Sequence, residues 1–565
     1  MSYFREQLEG LAFQLQHIAQ VSELARHDLF AHVDQETVDA LLETAADFAA
    51  EQLLPLAASG DREGCRLEAG RVKLPTGTPD VFKQWCELGF PSLGLPMEIE
   101  GLGLPCTVQS AVQEICDGAN LAFGMMSINL RCAALALLKN ATPAQQARWV
   151  VGLVSGSIAS TIVISEPQAG SDVGRIATTA HLQTDGSYAL TGSKIWISYG
   201  DHDLADEILH LVLARIPGGE AGSRGLSLFA VPRTECVQIL RLEHKMGLHA
   251  SPTCVVEFQQ ANGELIGEAG RGLQALFVMM NGMRLAVAVQ GAAVANAASL
   301  QAIAYASERP QGGHPLASPV NIINHADVQR MLLEMTAESE LMRALALRTA
   351  ALLDKAAALS DSNEAESQRC LQLAELILPV AKTYNAETAF TVASQGIQVL
   401  GGYGYTSDYP MERMARDIRV ASIYEGTSGI QSLDFVKRKV MADKATNLLM
   451  LLQMASDDIN SGNSPYGEHW PAVRSLLEQR VKSLVALPKE RHAEAEAGAY
   501  ALLQLTALAL HCWNGHTLFV AASAQHPHQQ KLRAALSHFA ASVTAKAVLW
   551  STRSAQELPA FSWAK

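Results

Sequence analysis

The spacing of apolar residues changes period twice along this chain, and that double change restricts the possible folds more than any single motif. Through residues 34–160 the apolar positions recur at helical spacing, with Val38, Leu41, Leu42, Ala45 and Phe48 following Asp34, a residue suited to cap a helix. From about 160 to 270 the period falls to two, in runs such as Tyr188-Ala189-Leu190-Thr191, Ile195-Trp196-Ile197-Ser198 and Leu209-His210-Leu211-Val212-Leu213, set off by Asp185-Gly186 and Pro217-Gly218-Gly219. After Gly272 the helical period returns and runs through 275–307, 326–356, 366–400 and about 410–440. This order predicts a mainly α protein with a central β-domain, a small barrel or sandwich.

Local signals refine that outline. Thr142-Pro143-Ala144-Gln145 predicts a helix start, with Thr as N-cap, Pro at the first helical position and Gln three residues on to complete a capping box. Pro91-Ser92-Leu93-Gly94-Leu95-Pro96 and Gly101-Leu102-Gly103-Leu104-Pro105 interrupt the pattern and predict a loop or lid. Beyond residue 440, the polar stretch Ser461-Gly462-Asn463-Ser464-Pro465-Tyr466-Gly467 introduces a last region rich in Ala and Leu, expected as an additional helical domain. The expected division is therefore 1–160 helical, 161–272 β, 273–440 a helical bundle and 441–565 further helices.

At 565 residues the chain is too long for one core. A formal charge of −14 argues against a nucleic-acid surface, and residues 441–565, with 11 Lys/Arg against 9 Asp/Glu, offer no basic stripe. The nine cysteines form no C-x-x-C pair and have no His companion at ligand spacing, so no metal site is expected and reduced thiols in a cytoplasmic protein are the simple reading. Met1-Ser2-Tyr3-Phe4-Arg5-Glu6 lacks the basic and apolar regions of an export signal. Apolar runs such as Ala499 to Leu510 fall short of a membrane span of about 20 residues and read as buried helix.

Two blocks carry chemistry. Glu425 stands in Tyr424-Glu425-Gly426-Thr427-Ser428-Gly429-Ile430-Gln431, where Gly426 adds no side chain to obstruct a ligand. Far upstream, Ser165-Glu166-Pro167-Gln168-Ala169-Gly170-Ser171-Asp172 is a loop able to aim several short polar groups at one ligand. Taken singly these residues have ordinary readings: Trp196 as a core aromatic, Ser165 and Ser171 as turn residues, Arg284 and Arg309 as surface arginines, Gly401-Gly402 as a helix terminus.

Together with Trp196-Ile197-Ser198 and Gln398-Val399-Leu400-Gly401-Gly402-Tyr403-Gly404, the two blocks resemble the acyl-CoA dehydrogenase family over roughly residues 40–440. The stretch Gly200-Asp201-His202-Asp203-Leu204-Ala205-Asp206 and the extra C-terminal helices are similar to its long-form branch. The resemblance implies a helical, β-barrel and four-helix-bundle architecture with an extra C-terminal helical domain. It also implies FAD held without a G-x-G-x-x-G fingerprint. By that match the Ile164 backbone and Ser165 face the pyrimidine edge of the flavin, Trp196 stacks on the ring, and Ser198 reaches N5 or a nearby phosphate. Arg309 contacts the pyrophosphate, Thr427 adds to the cofactor set, and Gln398, Gly401 and Gly402 receive the adenine half from a neighbouring subunit. Ser stands at 165 and 198 where the family usually has Thr, and His325-Ala326-Asp327-Val328 stands where it often has Gln.

The same resemblance implies that Glu425 takes the α-proton of an acyl-CoA while the β-hydrogen leaves as hydride to flavin N5. Some relatives carry the base on the helix holding Met280-Asn281-Gly282-Met283-Arg284, where Met283 cannot accept a proton. Ser171, Asn281, Arg284 and Gly426 are implied to bind the CoA thioester. Electron-transfer flavoprotein is the implied acceptor, and a homodimer or dimer of dimers the implied assembly. An acyl-CoA oxidase that hands electrons to oxygen is the rival reading, and a non-catalytic flavin-bound relative that binds a partner is the other. Fatty acyl chains of medium or long length and a short sulfur-bearing chain all remain open.

Overall fold

A computed structural model describes residues 2–523 and 526–556, so the end of the expected C-terminal segment, 557–565, lies outside the described residues. The described residues form two compact units, one of residues 44–105 and 119–286, the other drawn from 2–43, 106–118, 287–523 and 526–556.

The first unit is built around the β-domain. Nine strands occur among the described residues: β1 Arg66–Glu68, β2 Arg71–Lys73, β3 Ile158–Val163, β4 Thr179–Leu182, β5 Tyr188–Ser198, β6 Glu207–Arg215, β7 Leu226–Pro232, β8 Val237–Leu242 and β9 Thr253–Ile266. β5 pairs antiparallel with β4 and β9, β7 with β9 and β6, and a single bridge, Thr179 to Arg215, joins β4 to β6, so the ladder closes on itself as a small barrel. β3 runs parallel to β6, and β8 pairs with β9. Inward positions supply the core, with Leu190, Val212, Phe229, Val256 and Phe258 fully buried. Alternation of side chains across each strand is what makes the period-two reading a barrel.

Within 34–160 the structure departs from an all-helical reading at the β1–β2 hairpin. Its strands are only three residues each and mostly exposed, too short to show a period. Asp201 holds the hairpin to the barrel: the buried carboxylate accepts Val72 N at 2.8 Å and pairs with Arg71 at 2.9 Å and Arg233 at 2.7 Å. The predicted capping box is present, Thr142 Oγ1 accepting Gln145 N at 3.3 Å and Thr142 N donating to Gln145 Oε1 at 3.0 Å.

The second unit is helical. Helices Ala326–Ala358 and Glu364–Leu400 pack along each other, and Asn385 donates to Ala288 O at 2.8 Å and Met342 O at 3.0 Å, tying both to the long helix Gly272–Glu308. Gly291 permits that approach, since a Cβ there would lie 2.6 Å from the Asn385 carbonyl oxygen. Buried Arg343 pairs with Glu114 and Glu340, and Gln14 donates to Glu340, which staples the N-terminal helix Ser2–His17 and the helix Cys106–Ala119 to the bundle.

The described part of 441–565 belongs to this same unit rather than to a separate body. Its helix Ala499–Ala521 is buried nearly all round, as the apolar run predicts, and packs against the bundle. Arg348 donates to Asn514 Oδ1 at 2.5 Å and lies 3.8 Å from the Trp513 ring centre, and Tyr384 meets His511 with ring centres 4.4 Å apart.

Among the described residues two helices, Leu121–Asn140 and Gly272–Glu308, are long and apolar enough by length and composition to cross a membrane, and the run Ala499 to Leu510 lies in neither. The apolar window of the first is 83% buried within the structure, as in a core helix. The helical run expected over 410–440 is also interrupted. It comprises Met411–Ile418, a tight turn at Arg419–Ser422, Ser428–Asp434 and the wider turn Phe435–Met441, with the break falling at Glu425-Gly426-Thr427.

Candidate functional site

The break that interrupts the helical run is what presents Glu425. Glu425 takes a left-handed backbone, φ +51°, and Gly426 follows at φ +86°. A non-glycine residue in this region is disfavoured by contact between Cβ and the backbone, so it persists only where neighbours hold it. Three side chains do so. The fully buried Gln431 donates to the Glu425 carbonyl at 2.9 Å, buried Lys382 donates to the Gly426 carbonyl at 2.6 Å, and Thr427 caps the next helix by accepting Ile430 N at 3.2 Å. Tyr424 donates to Gln290 Oε1, and burial, with Asp117 and Glu425 as nearby negative charge, holds its hydroxyl well above the usual range. It therefore stays a neutral donor. The Glu425 side chain is half-buried.

In the same unit, Arg309 follows the end of the long helix and its guanidinium lies 5.4 Å from the Tyr403 ring centre. Tyr403 belongs to the turn Gly401–Tyr405 that ends helix Glu364–Leu400, and the structure thus brings Arg309 together with the Gln398, Gly401 and Gly402 segment. All four are exposed. Gly401 is required by its φ of +63°, whereas a Cβ on Gly402 would meet nothing within 4 Å.

The β-domain brings together a second group. Ile164 and Ser165 follow β3, and Ile195 N donates to the Ser165 carbonyl at 3.0 Å, setting that loop beside β5. Between Lys194 and Ile197 the pairing of β5 with β9 slips at a bulge, and Trp196 there has φ +63° with 59% of its surface exposed. A large aromatic presented outward from a strained bulge is the opposite of the core reading. Ser198, half-buried, ends the same strand, and Ser171 lies exposed in the loop beyond Ser165. Asn281 and Arg284 are half-buried on Gly272–Glu308, while Met283 between them is buried.

The loop and the bulge are joined by a pair that sequence reasoning passed over. Lys194, fully buried, sits 2.9 Å from Glu166 Oε1, and donates to the Ile164 carbonyl at 2.9 Å and the Leu213 carbonyl at 2.8 Å. The Glu166 carboxylate also accepts Ala177 N at 2.7 Å, Thr178 N at 3.1 Å and Thr178 Oγ1 at 2.6 Å. Burial works to raise the Glu166 carboxyl, but Lys194 and these donors outweigh it and hold it below the usual range. Burial drives the Lys194 ammonium down to about 8 against the pull of Glu166, so the pair is ionised at neutral pH. Each half is visible in the sequence, Lys194 in the inward register of Leu190 and Glu166 in the loop 165–172, but nothing there joins the two. Lys382 and Gln290 gave no comparable sign, because their partners Gly426 and Tyr424 are distant in sequence, whereas Gln431 lies only six residues from Glu425 within the same motif.

Within the β-domain the exposed π-face of Trp196 and the hydroxyls of Ser165 and Ser198 suit an aromatic ring system with polar edges. Within the helical unit the exposed Arg309 guanidinium beside open glycine backbone suits an anionic group.

Comparison with known proteins agrees with the geometry. Residues 35–157, 161–261 and 270–440 match the family models for the acyl-CoA dehydrogenase N-terminal, middle and C-terminal domains respectively. The chain is 36% identical to the 3-methylmercaptopropionyl-CoA dehydrogenase of Ruegeria pomeroyi over 89% of its own length and 88% of that protein's. It is 32% identical to a broad-specificity linear acyl-CoA dehydrogenase of Mycobacterium tuberculosis, covering 82% of this chain and 79% of the relative. An acyl-CoA dehydrogenase from Bacillus anthracis, solved in complex with FAD, shares the fold with a TM-score of 0.76 over 93% of this chain and 88% of its own, at 19% identity. The chain belongs to the acyl-CoA dehydrogenase family of FAD-dependent enzymes.

Proposed function

We propose that this chain oxidises the α,β bond of an acyl-CoA thioester to a trans-2-enoyl-CoA, with Glu425 as the base. The observation that carries the reading is the left-handed turn at Glu425, held by Gln431 and Lys382. A strained backbone kept in place by buried polar side chains is typical of a positioned catalytic group. The α-hydrogen of a thioester is only weakly acidic, so its removal near neutral pH needs a fixed carboxylate and donors to the carbonyl oxygen. Glu425 supplies the carboxylate and, through its backbone N–H, one such donor. Met283 cannot accept a proton, which leaves the task to Glu425.

FAD, when bound, supplies the acceptor for the β-hydrogen, which departs with its electron pair as hydride. Ile164, Ser165, Trp196 and Ser198 hold and orient the ring system in this reading, Arg309 and Thr427 serve the remainder of the cofactor, and Gln398, Gly401 and Gly402 take the adenine half of a neighbouring subunit. Ser171, Asn281, Arg284 and Gly426 bind the CoA thioester. A homodimer or dimer of dimers in the cytoplasm follows, with electrons passed to an electron-transfer flavoprotein. By sequence the chain divides at residues 160, 272 and 440, with the described residues of the last part packing in the same unit as 287–440.

A linear acyl-CoA is the proposed substrate class, and the two relatives support including both 3-methylmercaptopropionyl-CoA and unbranched fatty acyl-CoAs in a first panel. The test is an anaerobic spectral titration of the flavin band with that panel. Bleaching by one class assigns the reaction and the chain, and a flavin that none of them reduces overturns the proposal. Hydrogen peroxide formed stoichiometrically with turnover in air would move the reading to an oxidase.

A further inference from the structure

We propose that the buried Lys194–Glu166 pair is a positioning device for the flavin-facing segments of the β-domain, setting the Ser165 loop and the Trp196 bulge in one fixed relation. This inference rests on the flavin reading given above and extends it to two residues that do not face the cofactor themselves.

The argument begins with peptide planarity. Lys194 Nζ holds the Ile164 carbonyl at 2.9 Å, and because the peptide unit is planar this also fixes the direction of the Ser165 N–H. On the far side of Ser165, its carbonyl accepts Ile195 N at 3.0 Å, which fixes the next plane. Ser165 is thereby held from both sides by Lys194 and by the residue that follows it. Two residues beyond Lys194 stands Trp196, whose left-handed backbone at φ +63° requires restraint from its neighbours.

Glu166 completes the frame. Its carboxylate accepts Ala177 N, Thr178 N and Thr178 Oγ1, so the return of the loop into β4 is fixed by the same group that pairs with Lys194. Thr178 in turn packs against β5 at Gly192, where a Cβ would fall 2.4 Å from Thr178 Oγ1. Nearby, Arg215 donates to the Ile176 carbonyl at 2.6 Å and also to the Gly174 carbonyl. The Lys194 ammonium donates to Glu166, Ile164 and Leu213, tying β5 to the loop and to β6 from one atom.

A buried ion pair is a weak route to stability, since apolar residues of similar volume often serve as well. What such residues cannot supply is direction. Four backbone groups, at Ile164, Ala177, Thr178 and Leu213, are oriented by this pair, and that orientation is what the flavin reading requires of the loop.

The double variant Glu166→Gln with Lys194→Met removes both charges at nearly constant volume and tests the proposal. Four readouts are taken on the full-length protein: thermal midpoint, FAD dissociation constant, visible flavin spectrum, and kcat and KM for the acyl-CoA that reduces the wild type. The proposal expects a folded protein with a near-unchanged midpoint, FAD bound about tenfold more weakly, an altered flavin spectrum, and kcat lower by on the order of a hundredfold with KM little changed. A folded double variant with wild-type FAD affinity, spectrum and kcat overturns it. Should the double variant fail to fold, Thr178→Val decides in its place: weaker FAD binding supports the proposal and unchanged binding overturns it. Wild-type protein that carries no FAD, or whose FAD no acyl-CoA reduces, overturns the flavin reading and this inference with it, whereas failure of the variants alone leaves that reading standing.

Discussion

The side-chain amide of Gln431 donates to the carbonyl of Glu425 at 2.9 Å, and the same amide nitrogen lies 2.7 Å from where a methyl group on Gly426 would stand. The restraint on the proposed base and the need for glycine beside it are therefore one relationship. Gly426→Ala should pay twice, for a left-handed backbone and for displacing Gln431. We expect a loss of about 1–3 kcal/mol in stability and a larger proportional fall in kcat, checked by denaturant unfolding and steady-state kinetics. A variant with wild-type kcat would show that the turn tolerates movement.

Lys382 restrains the same turn from the bundle, donating to the Gly426 carbonyl at 2.6 Å. Lys382→Met fills the space but loses the bond, leaving a carbonyl to be satisfied at a cost of about 1–3 kcal/mol. Because Lys382 touches the turn and not the proposed ligand, kcat should fall with little change in KM. A rise in KM at constant kcat would place Lys382 in substrate binding instead.

Acid sensitivity follows from groups buried without charge. Burial pushes His202 down to about 4 and His210 and His511 down to about 3. An unfolded histidine titrates near 6.5, so between those values the unfolded chain holds protons that the native chain does not, and stability falls as pH falls from about 6.5 toward 4. Asp354 acts in the opposite sense: burial pushes its carboxyl up to about 6, so the native state holds a proton near pH 5 that the unfolded state has lost. The three histidines less that one proton leave a net uptake of about two protons on unfolding at pH 5, a slope of about 3 kcal/mol per pH unit. Thermal midpoints measured between pH 4 and 7 should fall steadily on the acid side. A flat profile over that range would contradict the neutral burial of these side chains.

The C-terminal helices cover charged groups of the bundle. Arg348 is buried against Asn514 and the Trp513 ring, and burial pushes its guanidinium down to about 10. Asn514→Leu should cost about 1–3 kcal/mol by stranding a guanidinium hydrogen. Truncation after residue 440 should give an insoluble or partly unfolded protein, measured by soluble yield and circular dichroism. A soluble, cooperatively folding 1–440 fragment would show that the helices are an independent addition.

Much of this arrangement was legible in the sequence where local physics decides. The Thr142 box is a contest among neighbouring groups, and the β-domain follows from strand runs whose buried positions include Leu190 and Phe258. The β1–β2 hairpin was not legible, because Arg66–Glu68 and Arg71–Lys73 owe their strand form to the distant carboxylate of Asp201 and not to their own pattern. The break before Ser428–Asp434 was likewise hidden within a helical period. It is enforced by Lys382 and Gln431 rather than by any breaker stronger than Gly426. The proposed roles of Glu425, Trp196 and Arg309 come from their motifs. The buried Lys194–Glu166 pair was not legible, since an inward lysine in a strand gains meaning only once its carboxylate partner is located.

The central claim is that Glu425 removes the α-proton, and the anaerobic half-reaction of Glu425→Gln tests it most directly. The amide keeps the shape of the side chain but accepts no proton at neutral pH. Mixed without oxygen with the acyl-CoA that bleaches the wild-type flavin, the variant should retain full FAD occupancy and show reduction slowed by several orders of magnitude. Reduction at the wild-type rate would contradict the account and assign the proton to another group.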